Sequence, residues 1–64
     1  MNFVVKYQRQ CIPSIERIKS LLDLPGVVRA QRLDQVYAYL RVEDEDVQTF
    51  LKALKDVNDW KLSI

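Results

Sequence analysis

The chain has 64 residues, 48% hydrophobic and 30% charged, with a formal net charge of +1. That length holds one domain, residues 1–64, which buries only about 60% of the surface its unfolded chain exposes, so most apolar residues must serve one core. A single cysteine excludes an internal disulfide, no apolar run approaches the roughly 18 residues of a membrane span, and near-neutral charge argues against strong nucleic-acid binding on bulk electrostatics.

The first predicted element is a strand in "NFVVKYQ", where Phe3, Val5 and Tyr7 alternate with Val4, Lys6 and Gln8. Pro13 suits the first position of a helix, where its missing N–H costs nothing. Ile15, Ile18 and Leu22, joined by Leu21, form the apolar stripe of that helix. Pro25 and Gly26 then stop it. "VVRAQRL" reads as a second strand, with Val28 and Ala30 on one side and Val27, Arg29, Gln31 and Leu33 on the other. A hairpin turn at Asp34-Gln35 leads to "VYAYLRV", the clearest strand, in which Val36, Ala38, Leu40 and Val42 alternate with Tyr37, Tyr39 and Arg41. Asp44 is a plausible cap for a second helix carrying Val47, Phe50, Leu51, Leu54 and Val57 at helical spacing. Trp60, Leu62 and Ile64 alternate as a last strand.

The order β-α-β-β-α-β, with two right-handed crossovers, predicts an α+β fold. This is the ferredoxin-like split βαβ arrangement: a four-stranded antiparallel sheet, both helices on one face, strands one and three central. Charge divides along the chain. Residues 1–32 hold six basic and two acidic side chains, net +4; residues 33–64 hold four basic and seven acidic, net −3. The acids gather in "EDED", Glu43 to Asp46, either as a helix start whose dipole favours negative charge or as a contact for a basic partner.

Enzyme chemistry has little to work with. Histidine is absent, the single glycine, Gly26, rules out a glycine-rich phosphate loop, and Cys11 has no obvious base. The expectation is a protein that is not an enzyme, with no cofactor and no catalytic residue. Cys11 lies in the loop before the first helix. It reads as a partly buried inert residue, or else as a reactive thiol, an intermolecular disulfide or a metal ligand. "MNFVVKYQRQ" has too short an apolar run and no cleavage-like site for a signal peptide, so a soluble, cytoplasmic protein without membrane contact is expected.

"CIPSIERIKSLLDLPGVVRAQRL" resembles the first half of heavy-metal-associated domains of the copper-chaperone type. In those domains a Met-x-Cys-x-x-Cys loop precedes the first helix. Aligned on "IER", Cys11 falls on the second cysteine, Gln8 on the first and Lys6 on the methionine. The resemblance implies a βαββαβ fold. With one thiolate it implies metal handling only if a dimer pairs two Cys11 side chains. "VYAYLRVEDEDVQTFLKALKDVNDW" is similar to the second half of subtilisin-type propeptides, which would imply a protease inhibitor with "KLSI" as its inserted tail. "YAYL" looks like the aromatic-x-aromatic stretch of RNA-recognition motifs, whose rings stack on bases.

Strand alternation supplies the strongest positive reading. If Val5, Val28 and Leu62 point toward the helices, then Lys6, Arg29, Tyr37, Tyr39, Arg41 and Lys61 share the open face of the sheet. Tyrosines there could simply cover the sheet, with cations over their rings. They could equally form a protein interface, or bind single-stranded nucleic acid. The leading expectation is a small protein-interaction module that uses this face or an edge strand, with a protein partner that could be a second copy of the chain.

Overall fold

The computed structural model describes residues 1–63; Ile64, expected in the last strand and the tail, lies outside the described residues. Four strands form one antiparallel sheet in the order β2-β3-β1-β4. They are β1 (Asn2–Tyr7), β2 (Val27–Arg32), β3 (Tyr37–Val42) and β4 (Trp60–Leu62). Helices α1 (Ile15–Lys19) and α2 (Val47–Lys55) pack on one face, each joined to a turn of 3-10 helix, Ser20–Asp23 after α1 and Asp44–Asp46 before α2. This is the split βαβ arrangement with β1 and β3 central.

The core lies between sheet and helices. Val5 and Tyr7 of β1, Ala38, Leu40 and Val42 of β3, and Trp60 of β4 meet Ile18, Leu21, Phe50 and Leu54 from the helical side. The Phe3 and Phe50 rings stand 5.2 Å apart and those of Tyr7 and Trp60 4.9 Å, both tilted, a favourable aromatic geometry. Burying each large side chain contributes about 1.5–3 kcal/mol, so this one cluster carries the fold.

The first helix departs from the expected pattern. Pro13 precedes the N-cap, Ser14, and α1 runs for five residues before tightening. In the 3-10 segment three residues make a turn. Ile18, Leu21 and Leu24 therefore share the inward line, while Leu22, expected inside, is 44% exposed. Ile15 is 65% exposed and Ile12 is buried instead.

Leu24-Pro25-Gly26-Val27 is a tight turn, with the Val27 N–H donating to Leu24 O at 3.3 Å. Gly26 has φ +78°, which requires glycine there. Its carbonyl also accepts the Glu43 N–H at 2.9 Å, which ties the turn to the start of the α2 segment. Asp44 makes no capping bond; its Oδ1 lies 2.9 Å from the amino group of Met1. That contact holds the Asp44 carboxyl below its ordinary pKa.

β2 contains a bulge between Val27 and Arg29. Val27 points into the core, and Val28, expected inward, is 53% exposed. The extra residue resets the alternation, so Arg29 and Gln31 still face away from the helices and Ala30 toward them. The β2–β3 connection spans residues 33–36. There Leu33 and Asp34 both donate to Tyr37 O, at 2.9 and 3.2 Å, and no glycine is needed.

Candidate functional site

The register assembles the open face. Val4 of β1 lies opposite Tyr39 of β3, which lies opposite Gln31 of β2. On one side of this row Lys61, Lys6 and Tyr37 line up across β4, β1 and β3; on the other, Asn2, Arg41 and Arg29 cross β1, β3 and β2. All six side chains expected on this face therefore lie on it. Tyr37 and Tyr39 are half-buried, and Lys6, Arg29, Arg41 and Lys61 are exposed.

The face is electrostatically one-sided. None of the nine acidic residues lies in a strand; they occupy the helical segments and the loops. Among the described residues, the ion pairs are Met1–Asp44, Arg9–Asp59 and Arg17–Asp59, so no open-face cation has a carboxylate within 4.0 Å. Arg9 shows the contrast. Its Nε donates to Asp59 Oδ1 at 3.0 Å, and that hydrogen bond raises the guanidinium pKa further. On the open face, Arg29 donates among the described residues only to Gln31 Oε1, at 3.2 Å.

Pairing sharpens this imbalance. Arg29 stands directly opposite Arg41, and Lys6 directly opposite Lys61. Like charges placed opposite across strands destabilise a sheet. Strand alternation groups these cations on one face, but the two head-on pairs follow only from the register, which sets each residue's partner. The rings are held without cation contacts: Tyr39 Oη donates to Asn2 Oδ1 at 2.9 Å, and among the described residues no cation lies over either tyrosine.

Cys11 is exposed rather than partly buried, and the neighbouring Ile12 occupies the core. Gln8, at the position matched to the first cysteine of the metal motif, donates from Nε2 to Lys6 O at 3.3 Å. Among the described residues, no three of His, Cys, Asp or Glu converge, and no helix is long and apolar enough to cross a membrane. Comparison with protein-family models, characterised proteins and solved structures returns no match for this chain.

Proposed function

We propose that this chain is a non-catalytic interaction module whose open sheet face holds a protein partner that presents carboxylates. The observation that carries the reading is the pair of opposed cations, Arg29–Arg41 and Lys6–Lys61, flanking Tyr37 and Tyr39 with no acid on the face. The fold gives up stability at both pairs. An acidic partner would recover it, turning two repulsions into charge-assisted contacts. Tyrosine and arginine are also the side chains that most often dominate binding energy at interfaces, each contributing about 2 kcal/mol or more when central.

The test is capture from nuclease-treated cell extract by the wild type and by the triple variant Tyr37→Ala/Tyr39→Ala/Arg41→Glu. A protein retained by the first and lost by the second is expected, with both baits folded by circular dichroism. Equal retention by the two baits would contradict the reading.

One observation favours a second reading, single-stranded nucleic acid. Tyr37 and Tyr39 lie two residues apart on one strand, with cations at both ends of the row. Rings so placed can stack successive bases, each worth about 1–3 kcal/mol. Four phosphate contacts would give a salt slope of about −2.8, so affinity for a labelled oligo-dT would fall about 50-fold between 50 and 200 mM salt. Salt-independent binding, or none, removes this reading.

A further inference from the structure

Strand β2 ends the sheet on the side away from β4. It is six residues long, against three for β4. The ladder shows which of its backbone groups are free. The Leu33 N–H donates to Tyr37 O at 2.9 Å, so Leu33 turns its backbone inward. By alternation Gln31 and Arg29 do the same, opposite Tyr39 and Arg41. The N–H and C=O groups of Ala30 and Arg32 therefore point outward, and among the described residues no backbone group bonds them there. The side chains alternate in step. Ala30 is half-buried at the core margin on the helix side, while Arg29 is exposed on the open face with no carboxylate within 4.0 Å among the described residues. The α1 segment packs against β2. Arg17 leans the other way, to Asp59 Oδ2 at 3.5 Å just before β4. By the helical period Ile15 and Leu22, both exposed, occupy the opposite flank, on the β2 side.

We infer that β2 takes up an extended acidic segment of the partner as an antiparallel fifth strand, with an apolar residue beside Ala30 and carboxylates on its two neighbours. The inference rests on the open-face reading and specifies how that partner reaches the Arg29–Arg41 pair. Ala30 and Arg32 offer the ladder that an added strand needs. The residue paired with Ala30 shares its side of the sheet and meets Ala30 and the α1 flank. Its neighbours pair with Arg29 and Gln31 and turn to the open face. A carboxylate opposite Arg29 sets an attraction against the repulsion from Arg41. Charge excludes a second copy: two-fold pairing of β2 with β2 would gather Arg29 and Arg32 of both chains at one seam, with no acid in either strand. Charged side chains protect an edge from like strands, and the same arginines admit an acidic one.

The probe is a capped heptapeptide, Glu-Val-Glu-Val-Glu-Val-Glu, titrated into the uniformly labelled protein and followed by NMR. Saturable binding is expected, with hydrogen exchange at the Ala30 and Arg32 amides slowed about fivefold or more and the β4 amides unchanged. In the antiparallel ladder the valine amides face β2 and the glutamate amides face solvent. N-methylating the valines should therefore weaken binding about tenfold or more, while N-methylating the glutamates should change it by less than about threefold. Arg29→Glu should weaken binding about fivefold or more in dilute buffer, and the peptide with lysine in place of glutamate should bind that variant better than the wild type. No saturable binding overturns the inference, and so does equal sensitivity to N-methylation at valine and at glutamate. Binding that shifts the Tyr37 and Tyr39 signals while exchange at Ala30 and Arg32 stays unchanged overturns the added strand and leaves the open-face reading standing. Failure of the peptide together with equal capture by the wild type and the triple variant overturns both.

Discussion

Replacing Arg29 by glutamate should stabilise the fold while damaging the surface proposed to bind. Arg29 faces Arg41 across β2 and β3, and both are exposed. Two unit charges roughly 7 Å apart in water interact by about 0.6 kcal/mol. With a Debye length near 8 Å, physiological salt reduces this to about 0.25 kcal/mol. Arg29→Glu removes one repulsion and creates one attraction of similar size. The swing is therefore about 1.2 kcal/mol at low salt and about 0.5 kcal/mol at physiological salt. The lost bond to Gln31 is exposed and offsets little of this. In a domain this small 1 kcal/mol moves the melting temperature by about 4–8 °C, so a rise of about 5–10 °C is expected in dilute buffer. Thermal melts at low, physiological and molar salt measure it. A variant that melts below the wild type, or gains equally at every salt concentration, would refute a repulsion between Arg29 and Arg41.

Three further substitutions probe the scaffold. Gly26→Ala must hold alanine at φ +78° and places its Cβ against the Asp46 side chain and 3.2 Å from Val42 Cγ1. A loss of about 2–4 kcal/mol in urea unfolding is expected, and adding Asp46→Gly should restore about half of it; a loss below 1 kcal/mol would show that the turn is not fixed as described. Leu21→Ala should cost about 2–5 kcal/mol while Leu22→Ala stays within about 0.5 kcal/mol; the reverse order would mean that α1 continues as a regular α-helix. Phe50 is fully buried against Phe3. Phe50→Ala should cost about 3–5 kcal/mol, against a total near 3–10 kcal/mol for this length. Far-UV circular dichroism should show much of the chain unfolded at 37 °C, and a fully folded variant would contradict the core assignment.

Sequence pattern and structure agree where one period governs a whole element. In β3, Ala38, Leu40 and Val42 alternate with Tyr37, Tyr39 and Arg41 without interruption. In α2, Phe50 and Leu54 keep the 3.6-residue period. Agreement fails where the period changes within an element. The switch from α to 3-10 geometry at Ser20 turns Leu22 outward, and no local residue marks it. The bulge at Val28 falls within a pair of adjacent valines, Val27 and Val28, whose alternation can be read in either frame. Arg29 reached the open face all the same, because the bulge adds one residue before it and leaves the later alternation intact. The opposed cation pairs and the free edge of β2 depend on which strands become neighbours, information that only the assembled sheet contains.

The tyrosines give the most direct test of where the partner sits. The chain has three: Tyr37 and Tyr39 on the open face, and Tyr7 buried on the helix side against Trp60. With ring-labelled tyrosine, an NMR titration with the captured partner should shift and broaden the Tyr37 and Tyr39 signals and leave Tyr7 in place. A titration that moves Tyr7 alone, or saturates without moving either open-face ring, would contradict the assignment of this face as the working surface.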